Sequence, residues 1–273
     1  MIAEKEEYRA AIALSNTALS LQLNGCYQQA YATFQDAIGL IHMAVRPTCS
    51  QSSQGVEDCG CTSSCIQSKL RSGTVRLANQ YRYVDEESPG IRDQPKIISL
   101  PDDSGASTTL REVIGHGDDL SNWPLIFIRF EDYGIETSEE RDRDIDSSIL
   151  LHNFALSGLS LCTNLPPKSI ERECVLQNTL RLLQLCVNVL AVRVAKASGS
   201  SNLASLSGSD PAFSQIFTIS TIVTRSMVQA LSLSGRHQDD QSQCLRNLTQ
   251  MTQVLREMSA FDIQSVEMPA PAA

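Results

Sequence analysis

The strongest constraint on the fold is an apolar pattern near the N-terminus that repeats at helical spacing and is broken once. Four small or aliphatic residues recur every three or four positions, which places them on one helix face: Ala11, Leu14, Ala18 and Leu21. Asn24-Gly25 interrupts the pattern, and a glycine just past a helix end is typical of a left-handed stop. A second stripe follows, formed by Tyr27, Ala30, Phe34, Ala37, Ile38 and Ile41. The connection is so short that residues 6–45 are predicted to form two antiparallel helices in contact.

Two later segments have the same outline. Residues 144–197 contain two apolar stripes separated by a Pro-Pro pair, and residues 211–260 contain two separated by Gly235. Aromatic residues make up only 5% of the chain, which is too few for the core of a β-sandwich or barrel. The 273 residues are therefore predicted to form a mainly α, single-domain protein of three stacked antiparallel helical hairpins.

The segment between the first and second hairpins, residues 46–143, is predicted to be an irregular insertion. Its first part, residues 48–72, is rich in serine and cysteine and contains almost no large apolar side chain. Burial cannot offset the entropy of ordering such a segment. We therefore expect a flexible loop over residues 48–72.

Strand signals occur only between residues 74 and 134. Four short runs carry β-branched or aromatic residues: 81–84, 96–100, 110–114 and 125–130. They are interpreted as a small β-ribbon or hairpin with a long loop. Because a two-stranded ribbon is marginally stable alone, its apolar face is expected to rest on the helical body. The candidates for that contact are Tyr81, Tyr83, Phe127 and Phe130.

The first hairpin resembles a tetratricopeptide repeat. The match reads Leu14-x-Asn16-x-Ala18-x-x-Leu21, then Gly25-x-Tyr27-x-x-Ala30-x-x-x-Phe34-x-x-Ala37-Ile38, and covers about one repeat of roughly 34 residues. The second hairpin is similar to a degenerate copy, in which Asn153-Phe154-Ala155 stands where the first has Asn16-Thr17-Ala18. The third hairpin shares only the helix–turn–helix outline.

The resemblance implies a stacked helical array whose first helices line a groove for a protein or peptide partner. The groove residues that it implies are Ile12, Ser15, Asn16, Leu19, Gln22, Leu23, Ile149, His152, Asn153 and Leu156. Some members of the family bind chaperone C-terminal carboxylates through basic groove residues. No Lys/Arg cluster occupies the corresponding positions here, so that specificity is not expected.

Two alternatives remain open beside the groove. The amides of Asn16 and Asn153 could bridge neighbouring hairpins by hydrogen bonding to backbone, rather than contact a ligand. The three hairpins could also form a compact helical domain without any groove function, since about three repeats is the minimum for a stable array.

Charge and termini set expectations about partners and location. The net charge of −9 disfavours phosphate backbones and anionic membranes, so we expect neither nucleic-acid nor membrane binding. The N-terminus lacks the basic and apolar regions of a secretory signal, and the apolar stretch 180–195 is interrupted by polar residues. These observations predict an intracellular, cytoplasmic protein. They leave its oligomeric state open.

Catalytic motifs are lacking. The four histidines lie far apart, and no residue set combines a nucleophile, a base and an orienting group. Neither a phosphate-binding loop nor a dinucleotide-binding glycine motif is present. We therefore predict no enzymatic activity, no cofactor and no metal site, and we expect an adaptor or scaffold.

The alternative function is a metal- or redox-responsive regulator that uses the cysteine-rich loop. Its thiols are Cys49, Cys59, Cys61 and Cys65, four of the nine cysteines. Four thiolates could hold zinc, but this spacing matches none of the zinc-binding patterns considered. Incidental thiols in a loop are the simpler interpretation.

Overall fold

A computed structural model describes residues 2–45, 61–80, 96–99, 124–130, 143–200, 211–235 and 238–266. These residues form seven helices and two short strands. The prediction of a mainly α protein of helical hairpins with a small β-ribbon is confirmed. Of the candidate ribbon contacts, Tyr81 and Tyr83 lie outside the described residues, as do the strand signals 81–84 and 110–114.

The first hairpin consists of helices α1 (Ile2–Leu23) and α2 (Tyr27–Val45). Gly25, with φ of 75°, ends α1 as the sequence predicts. The Gly25 amide donates to the Gln22 carbonyl at 3.1 Å, and the Cys26 amide donates to the Leu21 carbonyl at 3.0 Å. This pair of bonds is the Schellman arrangement, which satisfies the last carbonyls of a helix and reverses the chain.

Residues 61–72 are not the flexible loop that composition predicts. They belong to a third helix, α3 (Cys61–Gln80), which packs against α1 and, less extensively, against α2. Gly73 allows the close approach, because a Cβ atom there would lie 2.7 Å from Leu14 Cδ2. Lys69 and Arg76 form ion pairs with Asp36 of α2, at 3.2 and 2.8 Å. These contacts come from distant parts of the chain, so local composition could not reveal them. Residues 48–60 lie outside the described residues.

The two strands, β1 (Lys96–Ser99) and β2 (Ile126–Arg129), pair in parallel. The hairpin alternative for the ribbon is therefore wrong, because a tight turn joins only antiparallel strands. The register places Lys96 opposite Ile126 and Ser99 opposite Arg129.

The second hairpin pairs α4 (Arg143–Asn164) with α5 (Ile170–Ser200), and the third pairs α6 (Pro211–Ser234) with α7 (Gln238–Val266). The Ser169 hydroxyl accepts from the Arg172 amide at 3.1 Å, which caps the start of α5. Gly235, with φ of 63°, follows the end of α6.

The three hairpins stack in chain order, because α2 packs on α4 and α5 packs on α6. The first helices α1, α4 and α6 are also neighbours along the stack, since α4 contacts both of the others. One cluster of buried side chains runs through the stack, with members from helices α1 to α6 and from both strands. The small β-ribbon therefore belongs to the same core as the helices.

Within the residues that the structure describes, two helical segments are long and apolar enough to cross a membrane, by length and composition only. They are Ile170–Arg193 in α5 and Gln215–Ser234 in α6, with mean hydropathies of 1.4 and 1.3. The most apolar 18-residue stretch of each segment differs in burial: 67% of it is buried inside the protein in α6, and 28% in α5. Mostly buried core helices, such as α6, pass the same test, and one or two such segments are weak evidence for a membrane span.

Candidate functional site

The first helices of the hairpins hold the segment 124–130, which contains β2. The helix α1 contributes the side chain of Asn16, and α4 contributes Asn153. Asn153 Nδ2 donates to the Ile128 carbonyl at 2.6 Å, and the Ile128 amide donates to Asn153 Oδ1 at 2.9 Å. Asn16 Nδ2 donates to the Phe130 carbonyl at 3.0 Å, and the Phe130 amide donates to Asn16 Oδ1 at 3.3 Å. Each amide therefore pairs with both backbone groups of one residue.

This pairing uses one edge of β2. In a strand, the N–H and C=O groups of successive residues point to opposite edges. The Lys96 amide donates to the Leu125 carbonyl at 2.8 Å. The backbone N–H and C=O groups of the odd-numbered residues in this segment therefore point toward β1. The backbone N–H and C=O groups of Ile128 and Phe130 point the other way, toward the helices. There they bond to the asparagine amides, as they would to the backbone of a neighbouring strand.

The first helix of the third hairpin, α6, also contacts this segment. Arg225 Nη2 lies 3.4 Å from the Pro124 carbonyl, which is again an even-numbered residue. The Arg225 side chain is buried, and burial lowers the pKa of its guanidinium to about 10. The segment thus runs across the stack, with its N-terminal end at α6 and its C-terminal end at α1.

Side-chain burial completes the contact between β2 and the helices. Four apolar residues of the segment are almost fully buried: Ile126 at 2% exposure, Phe127 at 0%, Ile128 at 0% and Phe130 at 2%. Burying each such side chain stabilises by about 1.5–3 kcal/mol. The expectation that Phe127 and Phe130 pack on the helical body is met.

The ten sequence-predicted groove residues are mostly covered in this structure. Seven are buried: Ser15, Leu19, Gln22, Ile149, His152, Asn153 and Leu156. Ile12 and Asn16 are half-buried, and Leu23 is 44% exposed. The structure brings Asn16 and Asn153 together on β2. It places Gln22 and His152 in other contacts instead.

Those other contacts join helices within the stack. The Ser157 hydroxyl of α4 donates to Gln22 Oε1 of α1 at 3.2 Å. His152 Nε2 lies 3.0 Å from Ser226 Oγ of α6. Because the Ser226 hydroxyl donates to the Ile222 carbonyl, the imidazole supplies the proton of the His152–Ser226 bond. Burial lowers the pKa of His152 to about 3, so the ring is neutral.

One buried carboxyl group also joins α1 to α4. The Tyr8 hydroxyl donates to Asp146 Oδ2. Burial raises the pKa of Asp146 to about 7. A group with this pKa changes its charge near neutral pH, inside the contact between the first two hairpins.

The sequence did not indicate that the first helices bond to the backbone of the segment 124–130. The run 125–130 is visible as a strand, but nothing local shows which edge of it faces the helices. The one available signal is the equivalent position of Asn16 and Asn153 in their hairpins. The interpretation that these amides bond to backbone anticipates the contact, although the backbone belongs to β2 and not to a neighbouring hairpin.

The cysteine-rich segment is only partly described. Cys49 and Cys59 lie outside the described residues, and Cys61 and Cys65 are one turn apart at the start of α3. Within the described ranges, no three His, Cys, Asp or Glu residues are grouped so that they could hold a metal ion.

Comparison with known proteins gives no neighbour. The chain matches no protein-family model, no curated protein and no solved structure. A functional hypothesis for this chain therefore rests on the geometry of the first helices and the strand that they hold.

Proposed function

We propose that this protein is a non-enzymatic interaction module, an adaptor or scaffold, whose first helices hold an extended segment of a protein or peptide partner. The observation that supports this proposal is the pair of amides on Asn16 and Asn153, which hold the backbone of the segment 124–130 at residues 130 and 128. The stack of hairpins is the architecture that the tetratricopeptide resemblance implies for such a module.

The chemistry of the amide suits an extended ligand. A side-chain amide carries a donor and an acceptor, so it can pair with both backbone groups of one residue. Backbone groups are the same in every sequence, so the amides provide affinity and register, while the pockets between them provide specificity. The amides of the first two hairpins contact Phe130 and Ile128, which are two residues apart and so separated by about 6.7 Å along an extended chain.

The class of partner follows from the surroundings of the amides. Asn16, Asn153 and Arg225 bond to the backbone of the segment, its apolar side chains belong to the core cluster that it shares with the helices, and the protein has a net charge of −9. A protein or peptide segment with apolar side chains fits these surroundings, whereas nucleic acid and anionic membranes do not. We expect the partner, like this protein, to be cytoplasmic.

A photocrosslinking experiment tests the proposal. A displayed library of random nine-residue peptides is selected on the purified full chain. The selected peptide is then crosslinked to protein that carries p-benzoylphenylalanine in place of Leu23. This residue is two turns from Asn16 on α1 and 44% exposed, so the substitution leaves the core intact. The expected result is a covalent adduct at position 23.

The matched control carries the same photoreactive group in place of Val192. Val192 is a similarly exposed apolar residue, at 53%, but it lies on α5, which is the second helix of its hairpin and not one of the first helices. Crosslinking at position 192 with none at position 23 would contradict the proposal, as would a selection that yields no binding peptide.

A further inference from the structure

We propose that β2 is a built-in ligand of the first-helix groove, so that a partner segment must displace it to bind. This inference rests on the proposed function and adds its regulation. The partner segment it implies is extended, runs in the same direction as β2, and carries aliphatic or aromatic side chains in place of Ile126, Ile128 and Phe130.

The contacts of β2 support the role of a ligand. Side-chain amides of Asn16 and Asn153 bond to its backbone, so another chain in the same extended conformation could take every one of these bonds. Among the described residues, β2 pairs with the backbone of β1 on one edge, and the Asn153 amide bonds to its other edge.

The connection of β2 to the rest of the chain supports displacement. Residues 131–142 separate Phe130 from α4, and residues 100–123 separate Pro124 from β1. Because β2 belongs to the same chain as the first helices, its binding to them is intramolecular and has an advantage over the binding of a free segment. A free partner segment must therefore bind the groove more strongly than β2 does. Segments that bind more weakly than this do not displace β2.

The expected change in affinity follows from the equilibrium between molecules in which β2 is bound to the first helices and molecules in which it is released. The apparent affinity for a free segment falls in proportion to the small fraction of molecules in which β2 is released. Truncating one fully buried isoleucine of β2 weakens its cis contact by roughly 30-fold or more. The affinity for a free segment should then rise, although the groove itself is unchanged.

The test uses a fluorescein-labelled peptide with the sequence of residues 124–130, Pro-Leu-Ile-Phe-Ile-Arg-Phe. Its binding is measured by anisotropy on the wild-type chain, on Ile128→Ala and on Leu183→Ala. Leu183 is fully buried in α5 and has the same number of side-chain atoms, so its loss destabilises the core without changing β2. We expect Ile128→Ala to bind the peptide at least ~10-fold more tightly than the other two proteins.

The outcomes separate this inference from the proposed function. Equal affinity of all three proteins would overturn the cis competition and leave the groove as a peptide site. Lack of binding by all three would also overturn it, and the selection with crosslinking at position 23 would then decide the proposed function alone. A dimer of the wild-type chain that exchanges β2 between copies, detected by size-exclusion chromatography, would contradict occupancy in cis.

A second measurement needs no ligand. If β2 is released while the helices stay folded, the amide hydrogens of Ile128 and Phe130 exchange at least ~10-fold faster than those of Leu150 and Leu156 in α4. Exchange of all four amides at one common rate would show that β2 opens only when the whole protein unfolds, and would overturn the inference.

Discussion

At the scale of single residues, the two asparagines differ in burial, and therefore in the stability lost when their hydrogen bonds to backbone are removed. Asn153 is fully buried and holds the Ile128 backbone, whereas Asn16 is half-buried and holds the Phe130 backbone. Water can replace a lost partner at a half-buried site more readily than in the core. The loss of Asn153 should therefore be the more damaging change.

We expect Asn153→Ala to lower the free energy of unfolding by about 2–4 kcal/mol, because it leaves a buried N–H and a buried C=O without partners. Asn16→Ala should lower it by about 1 kcal/mol. The control is Asn178→Ala, at an exposed position on α5, which should change it by less than ~0.5 kcal/mol. Urea denaturation measures all three, and equal effects at positions 153 and 178 would contradict the assignment.

Asp146 makes stability depend on pH. Burial raises its pKa from 3.8 to about 7, so the folded protein binds a proton that the unfolded chain releases between these values. The stability contribution is fully present below about pH 3.8 and is lost as pH rises to 7, by up to about 4 kcal/mol. Asp146→Asn removes this dependence and keeps an acceptor for the Tyr8 hydroxyl.

The free energies of unfolding of wild type and Asp146→Asn should therefore diverge with pH. The variant gains stability relative to the wild type between pH 4 and pH 8, as measured by denaturation at each pH. Their difference at pH 3.5 is the internal control, since both buried side chains are then uncharged in the folded state. A difference that is constant across the range would show that Asp146 is ionised inside the folded protein.

At the scale of elements, close packing decides where helices cross. Gly158 in α4 lies against α5, and a Cβ atom there would be 2.4 Å from Thr179 Oγ1. Thr179 is buried and cannot move away easily. Glycine inside a helix costs stability relative to alanine, and the packing shows why a glycine is needed at this position.

We expect Gly158→Ala to lower the free energy of unfolding by about 1–3 kcal/mol through overpacking. Gly39→Ala in α2 is the matched control, because its Cβ atom would meet only the flexible end of Lys69, at 3.0 Å. There the gain in helix propensity, about 1 kcal/mol, should dominate. Thermal denaturation compares the two, and a stabilising effect at position 158 would contradict the close contact.

The helix α3 shows how elements depend on their neighbours. Its residues 61–72 have the composition of a loop, yet the helix packs on α1 through Gly73 and bonds to Asp36 through Lys69 and Arg76. Propensity is a weak prior that tertiary contacts override. The opposite holds for α1 and α2, where the apolar period and the Gly25 stop were sufficient for the prediction.

At the scale of the whole molecule, the three hairpins share one core. The buried cluster includes Leu14 of α1, Ile128 of β2 and Ile222 of α6, so it does not stop at any hairpin boundary. Segments that share a core lose their stabilising contacts together. The stack should therefore unfold as a unit, even if the short strand β2 opens locally.

We expect a single thermal transition, with the calorimetric enthalpy equal to the van't Hoff enthalpy. Circular dichroism at 222 nm and scanning calorimetry on the same sample provide the comparison. Two resolved transitions, one of them confined to the third hairpin, would contradict a shared core.

The helical hairpins follow from the sequence because their causes are local. An apolar residue every three or four positions, a glycine at the reversal and a capping serine all act within one or two turns of the chain. The site required the tertiary structure. Asn16 lies 114 residues from Phe130, and Asn153 lies 25 residues from Ile128. Their bonds go to backbone groups, which are alike in every sequence. Only the folded chain, which brings these distant residues together, shows that β2 lies on the first helices and which of its edges they hold.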